Sequence, residues 1–345
     1  MLLIEGKPGS GKSTLTKYFK DNLFEKEPLA RQAIVASFFY SHREEGELHT
    51  NHSNMLRSIL HDVLQQNETF FIYFQSLYRK MLLCGVWPYD SLKEILLSFK
   101  EHTVKERLYL FLDAMDESDG NHRDDIVQLM HQLCATNKLC IFKVILASRP
   151  IAWPSRHLTQ FQNIIKLQDE NSWDILNFVQ SFLAPLNLNF ECRGKIIHYI
   201  VRNAQGVFLW VHLVKKELIK YDATACTNKE IYDFLESLPT ELDEFYELNL
   251  SRLEKNEQRD VKVGVRLIQL VLFAYRPLSI HEIRQALAIP DDIDAEYSPS
   301  DVSYENELIN DIVKRIIHCG GNFLDIKGPR ESSNNPNIMV LLTYI

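Results

Sequence analysis

The sequence predicts an α/β domain built on a parallel sheet, followed by an all-helical region and a smaller mixed region. In residues 1–165, four short apolar runs alternate with helix-like segments. Such runs are typical of parallel strands whose two faces are both covered by helices. The pattern then becomes helical up to residue 259, and residues 260–345 mix helix-like and strand-like segments. We therefore expect three domains, at 1–165, 166–259 and 260–345.

The elements of the first domain follow one another in βα order. The expected strands are MLLIE, QAIVASFFY, RLYLFLD and FKVILAS, and the helices between them are expected at 12–25, 54–66 and 123–135. After SRPIAWP we expect no further strand until NFLDIKG in the last region.

The last region has the pattern of a winged helix that ends before it is complete. After a long apolar helix from residue 261, Ser279 is placed to cap a short helix, and another helix is expected at 307–317. NFLDIKG and IMVLLTYI are expected to form strands around an intervening loop.

The composition is that of an ordinary globular protein of 345 residues, with 46% hydrophobic and 24% charged residues. The formal net charge of −8 gives no general attraction to nucleic acid or to anionic membranes, which both favour basic surfaces. No apolar run is long enough to cross a bilayer or to act as a signal peptide, so we expect a cytoplasmic protein. The six cysteines form no CxxC pair, which favours reduced thiols over a disulfide framework.

The stretch GKPGSGKST lies between the first predicted strand and the first predicted helix. It matches the phosphate-binding loop (P-loop) pattern G-x-x-x-x-G-K-[ST] at every fixed position. Its glycines let backbone N–H groups surround phosphate oxygens at the positive end of the helix. Lys12 supplies a cation for the β- and γ-phosphates, Ser13 supplies a hydroxyl ligand for Mg²⁺, and Thr14 is expected to touch the α-phosphate. The expected nucleotide-binding residues are Gly6, Lys7, Pro8, Gly9, Ser10, Gly11, Lys12, Ser13 and Thr14.

Acidic residues follow the third predicted strand, as in a Walker B motif. Asp113 ends the strand and is expected to hold Mg²⁺ together with Ser13. Glu117 is the expected catalytic residue that orients or deprotonates the attacking water, with Asp116 as the second candidate. The alternative is a solvated acidic turn that caps the next helix.

The fourth predicted strand ends in Ser148 and Arg149. At that edge of the sheet the Arg149 guanidinium could sense the γ-phosphate and stabilise its charge in the transition state. The alternative is an arginine that pairs with a surface acid.

Elsewhere, His42, His49 and His52 fall within one polar loop, where we expect solvated side chains rather than a metal site.

Together, GKPGSGKST, LFLDAMDE and VILASRP resemble the NACHT group of STAND signalling P-loop NTPases, in the variety of fungal incompatibility proteins and nephrocystin-3-like N-terminal regions. The stretches NAQGVFLWVHLVKKEL, LPTELDEFYELNLSRL and VLFAYRPLSIHEIRQALAI are similar to stretches at corresponding places in that variety. The resemblance implies a switch that binds ATP or GTP with Mg²⁺, hydrolyses it slowly and forms a homo-oligomer when activated. It also implies an upstream effector domain and downstream sensor repeats outside this chain.

Two departures from the family pattern concern the nucleotide. Related switch proteins often carry Gly-x-Pro near the base, whereas this chain has Gly206, Val207 and Phe208. In addition, His318 does not lie in a motif that matches the family's diphosphate-binding histidine.

Two other functions share the loop. A phosphotransferase would need an acceptor pocket and an arginine-bearing lid, and no arginine cluster suits that role. A DNA-handling ATPase would use the winged helix, but residues 261–345 carry eight Lys and Arg against eleven Asp and Glu.

Overall fold

The computed structural model describes residues 1–41, 49–85, 87–135, 139–151, 161, 163–222, 226–289, 307–327 and 339–342. The chain divides into two compact units. The N-terminal unit comprises Met1–Ile175 with Gln205–Phe208, and the C-terminal unit comprises Leu176–Ala204 with Leu209–Ile345.

A five-stranded parallel sheet forms the centre of the N-terminal unit, with the strand order β2-β3-β4-β1-β5. The strands are β1 (Leu2–Glu5), β2 (Ile34–Phe39), β3 (Glu106–Asp113), β4 (Cys140–Ser148) and β5 (Asn163–Lys166). The first four are the predicted apolar runs, which confirms the α/β assignment. Glu5 pairs with Ser148 and Phe39 pairs with Asp113, so the carboxyl ends of these strands meet at one edge of the sheet.

Apolar residues cover both faces of the sheet. Along β3, Leu108, Leu110 and Leu112 belong to one buried cluster, whereas Tyr109 and Phe111 belong to another. Successive side chains of a strand point to opposite faces, so a continuous apolar run fills a core on each side.

The fifth strand, β5, contradicts the expectation that no strand lies between SRPIAWP and NFLDIKG. It pairs in parallel with β1, with Leu2 opposite Asn163. All four of its side chains are exposed, so its sequence lacks the buried apolar run by which the other strands were recognised.

The helices of the N-terminal unit are more numerous than predicted. They are α1 (Lys12–Asp21), α2 (Leu23–Lys26), α3 (His52–Gln66), α4 (Gln75–Cys84), α5 (Tyr89–Ser98), α6 (Arg123–Cys134) and α7 (Leu167–Glu170). The helix expected at 12–25 is interrupted at Asn22, whose side-chain amide donates to the Tyr18 carbonyl at 2.8 Å. Helix α3 begins two residues earlier than expected because the Asn51 side chain accepts from Ser53 N at 2.7 Å and caps it.

The C-terminal unit is mostly helical. The helices after α7 are α8 (Ser172–Leu183), α9 (Phe190–Ala204), α10 (Phe208–Asp222), α11 (Asn228–Glu236), α12 (Leu242–Glu254), α13 (Gln258–Leu272), α14 (Ile280–Ala288) and α15 (Ile312–Gly320). Residue Ser279 caps α14 as predicted, in a reciprocal capping box with Glu282. Helix α15 is shifted from the expected 307–317, because the Asp311 side chain accepts from Lys314 N at 3.1 Å and fixes the first turn.

A small antiparallel sheet accompanies α13, α14 and α15. Its strands are β6 (Leu278–Ser279), β7 (Leu324–Lys327) and β8 (Met339–Leu342), in the order β6-β8-β7. The strands β7 and β8 were predicted and β6 was not. The winged-helix assignment stays a prediction, because the loop expected between β7 and β8 lies outside the described residues.

Among the described helices, none combines the length and the apolar character needed to span a membrane.

Candidate functional site

The P-loop joins the end of β1 to the start of α1. Gly9 and Gly11 adopt left-handed backbone angles, with φ of 72° and 95°, which other residues adopt only at a cost. Gly6 is required for space, since a Cβ at this position would lie 2.5 Å from Ser10 Oγ. Gly6 N donates to the Ser148 carbonyl at 3.2 Å, which ties the loop to the end of β4.

The Lys12 side chain folds back over this loop. Its Nζ donates to the Gly6 carbonyl at 2.8 Å and to the Lys7 carbonyl at 3.1 Å. Burial lowers the pKa of Lys12, an effect that the carboxylates of Asp116 and Asp113 oppose. The ammonium group therefore lies on the loop where a phosphate group is expected.

Asp113 and Ser13 meet beside the loop. The Ser13 hydroxyl forms a hydrogen bond with the Asp113 carboxylate, and burial raises the pKa of Asp113. Asp113 is only 2% exposed, and its Oδ1 has no hydrogen-bond partner among the described residues. A buried carboxylate oxygen without a donor, next to a hydroxyl, fits the hard oxygen ligands that Mg²⁺ prefers.

The two other acids converge on Arg149. Asp116 Oδ1 accepts from Arg149 N at 2.8 Å, and its Oδ2 lies 3.2 Å from Arg149 Nε. Glu117 Oε1 is more distant, at 3.6 Å from Arg149 Nη2. Asp116 therefore holds the backbone and side chain of Arg149 together, while Glu117 lies at the edge of the same cluster.

A tight turn presents these acids. Ala114 has a left-handed backbone with φ of 54°, and Glu117 N donates to its carbonyl at 2.8 Å. From α6, Arg123 Nη2 donates to the Asp116 carbonyl at 3.1 Å and to the Ser118 carbonyl at 2.6 Å. No local sequence pattern indicates this role of Arg123, which becomes apparent only because α6 packs beside the turn.

A distant segment of the chain also contacts the P-loop. Asn171 Nδ2 donates to the Ser10 carbonyl at 3.3 Å and to the Gly206 carbonyl at 2.8 Å. Lys7 Nζ donates to Gln205 Oε1 at 3.1 Å. Residues 205–208, which include the departure from Gly-x-Pro, thus belong to the same compact unit as the P-loop. This arrangement was not predicted, because the partners are about 200 positions apart.

The predicted site residues lie at one edge of the sheet. Lys12 interacts electrostatically with Asp113, Asp116, Glu117 and Arg149. Pro8 is exposed on the loop, and Ser13 and Thr14 are exposed in the first turn of α1. The nucleotide-binding and catalytic roles of these residues stay predictions.

His49 and His52 do not both lie in a solvated loop as expected. His52 is the first residue of α3 and is buried, with Nδ1 2.9 Å from the Tyr40 hydroxyl and Nε2 2.8 Å from the Asp119 carbonyl. His49 stacks beside the Phe38 ring, with 6.2 Å between centroids. His42 lies outside the described residues.

Comparison with known proteins gives one family and one curated relative. Residues 1–149 match the family described as "Nephrocystin 3, N-terminal". The chain is similar to the vegetative incompatibility protein HET-E-1 of Podospora anserina, with 26% identity over 348 residues. That match covers 95% of this chain and 23% of the relative, so this chain spans less than a quarter of the relative's length.

Solved structures give looser likenesses. A Walker-type ATPase of Pyrococcus abyssi aligns with a TM-score of 0.41 and 14% identity, covering 99% of this chain and 88% of that chain. The Orc1 protein of Aeropyrum pernix, solved in complex with DNA, aligns with a TM-score of 0.36 and 11% identity, covering 100% and 83%. Likenesses this loose do not indicate what this chain binds.

Proposed function

We propose that the chain binds a nucleoside triphosphate with Mg²⁺ and hydrolyses it slowly, as the switch of a larger signalling protein. The match of residues 1–149 to the family described as "Nephrocystin 3, N-terminal" supports this proposal. The observation that supports this proposal best is the meeting of Lys12, the pair Ser13 and Asp113, and the cluster around Arg149 at one sheet edge.

Ser13 and Asp113 would hold the metal ion. The unpartnered Oδ1 of Asp113 and the adjacent hydroxyl suit a divalent cation bound by oxygen. When held by these two side chains, Mg²⁺ would supply positive charge that offsets the charge of the phosphates. The nucleotide would be ATP or GTP, since the loop is proposed to contact the phosphates and not the base.

The remaining polar side chains have separate roles in the proposed reaction. Lys12 would exchange the Gly6 and Lys7 carbonyls for the β- and γ-phosphate oxygens, which are stronger acceptors because they are charged. Glu117 would take a proton from the attacking water. Arg149, positioned by Asp116, would contact the γ-phosphate and so distinguish a triphosphate from a diphosphate.

The same proposal covers the organisation of the whole protein. It includes the three domains at 1–165, 166–259 and 260–345, with a winged helix as the third. It also includes an effector domain before this chain, sensor repeats after it, homo-oligomers in the activated state and a cytoplasmic location. The match to a segment of HET-E-1, of which this chain covers 23%, supports an arrangement with further domains.

Substitution of Lys12 by Ala tests the site. We expect Lys12→Ala to weaken binding of ATP or GTP with Mg²⁺ by about 100-fold or more, because several charge-assisted hydrogen bonds are lost. Calorimetric titration of the folded variant measures the affinity. Lys17→Ala is the matched control, since Lys17 is an exposed lysine on the same helix.

Unchanged affinity in Lys12→Ala would contradict the site assignment. Phosphate release into solution, rather than transfer to a small acceptor, separates the proposed hydrolysis from a phosphotransferase reaction.

A further inference from the structure

A cavity of about 620 Å³ lies within the C-terminal unit. Helices α10, α11, α12 and α15 contribute to its wall, together with the residues that follow α15. Its volume is in the range of small-molecule sites in proteins. Its polar lining residues include Glu217, Lys220, Asn249, Arg252, Lys314 and Asn322, with Asn256 and His318 beside them.

A hydrogen-bonded chain fixes the orientation of both amides. Asn322 Nδ2 donates to Glu217 Oε1 at 2.9 Å, and Asn322 Oδ1 accepts from Lys220 Nζ at 3.2 Å. The same Nδ2 donates to Asn249 Oδ1 at 3.1 Å. Since a carboxylate only accepts and an ammonium only donates, neither amide can be turned around.

This orientation leaves the Nδ2 donor of Asn249 without an acceptor among the described residues. Asn249 is 5% exposed. A buried donor without a partner costs free energy, and native structures rarely contain one without a reason. Asn249 lines the cavity, so a bound molecule with an acceptor oxygen would satisfy this donor.

The charges of the wall favour an anion. Lys220, Arg252 and Lys314 line the cavity together with the Glu217 carboxylate. Lys220 and Arg252 both pair with Glu217, and Lys314 Nζ lies 3.0 Å from Asp311 Oδ2. Burial opposes ionisation of Glu217, but hydrogen bonds from Asn322 and Arg252, with the nearby Lys220 charge, hold its pKa below the usual range. The three cations therefore face two carboxylates, Glu217 and Asp311, which leaves one positive charge in excess within a chain whose net charge is −8.

We propose that this cavity binds a small organic molecule that carries a phosphate group. The phosphate oxygens accept from Asn249 Nδ2 and are neutralised by Lys220 and Lys314. The organic part lies against the side of the cavity formed by Tyr221 and Phe234, whose rings stack with 4.1 Å between centroids. The ligand thereby touches both α12 and α15 and stabilises their packing.

Phenyl phosphate is a suitable probe, since it combines a phosphate monoester with a flat apolar group. Calorimetric titration of the full chain is expected to show binding at millimolar concentration, whereas phenol under the same conditions shows none. Lys314→Gln should weaken the binding of phenyl phosphate about fivefold, as the loss of one exposed charge contact. Lys262→Gln is the matched control, because Lys262 is exposed on α13 and does not line the cavity.

Two further variants make the result specific. Asn249→Asp keeps the size of the side chain but replaces the donor by a charged acceptor, and it should abolish binding. Lys12→Ala should leave the binding of phenyl phosphate unchanged, which separates this cavity from the P-loop and from the proposed NTPase function. The proposal would be overturned if phenyl phosphate did not bind, or if phenol bound equally well. It would also be overturned if Lys12→Ala lost the binding of phenyl phosphate, or if Lys314→Gln weakened it no more than Lys262→Gln does.

Discussion

The paired substitutions Glu117→Gln and Asp116→Asn distinguish the two acids beside Arg149. Glu117 Oε1 lies 3.6 Å from Arg149 Nη2, whereas Asp116 accepts from the backbone N–H of Arg149 at 2.8 Å and lies 3.2 Å from its Nε. We expect Glu117 to act on water and Asp116 to position Arg149.

Glu117→Gln should slow hydrolysis by about 10²- to 10⁴-fold, the usual contribution of a general base. Its effect on stability should stay within about 0.5 kcal/mol, because the ion pair is long and the Arg149 side chain is 45% exposed. Nucleotide affinity should be unchanged, since neither the P-loop nor the Ser13–Asp113 pair is altered.

Asp116→Asn should have a smaller effect on the rate and a larger one on stability. The Asn side chain can still accept from Arg149 N, but it loses the charge that faces Nε. We expect a loss of about 1 kcal/mol in the free energy of unfolding and a fall of about tenfold in hydrolysis, because Arg149 is less well positioned.

Release of inorganic phosphate from ATP or GTP with Mg²⁺ measures the rate, and urea unfolding measures the stability. A wild-type rate in Glu117→Gln, together with near-complete loss in Asp116→Asn, would reverse the two assignments. Wild-type rates in both variants would show that neither acid takes part in hydrolysis.

Two further predictions concern stability. Burial lowers the pKa of His52, which contacts Tyr40. As the pH falls, the unfolded chain therefore takes up a proton at a higher pH than the folded chain does. The free energy of unfolding should decrease below about pH 6.5, with a slope of up to about 1.4 kcal/mol per pH unit. Urea unfolding of His52→Gln should show a weaker dependence on pH in this range than the parent, whereas His61→Gln, at a side chain that is 73% exposed, should follow the parent. Ser279→Ala should cost about 1 kcal/mol in thermal or urea unfolding, because it removes the capping box with Glu282, and a loss below about 0.3 kcal/mol would contradict this role of the cap.

The strands of the sheet could be predicted where burial on both faces makes their sequence continuously apolar. Strands β1 to β4 are apolar on both faces, so each appears as a continuous run. Strand β5 has four exposed residues and is defined by its pairing with β1, which no local sequence pattern indicates. Helices α4 and α5 were missed, since no predicted strand or motif marked the region between α3 and β3.

The candidate site also combines features that local sequence predicts with contacts between distant residues that it does not predict. The spacing of the P-loop and the position of Asp113 at a strand end follow from local sequence, and both lie where they were expected. The bond between Asp116 and the backbone of Arg149 depends on the register of two strands and a left-handed turn at Ala114. Contacts of that kind join residues more than 30 positions apart, and no local pattern specifies them.

Hydrogen bonds to neutral backbone carbonyls hold the P-loop on two sides. Within the loop, Lys12 donates to the Gly6 and Lys7 carbonyls, and from outside Asn171 joins the Ser10 carbonyl to that of Gly206. Neutral carbonyls are weaker acceptors than phosphate oxygens, so transfer of the Lys12 ammonium to a phosphate is favourable. The Asn171 bonds involve no group that the phosphate needs, so the loop can keep its shape while Lys12 moves. The geometry therefore separates the group that binds phosphate from the groups that maintain the backbone around it.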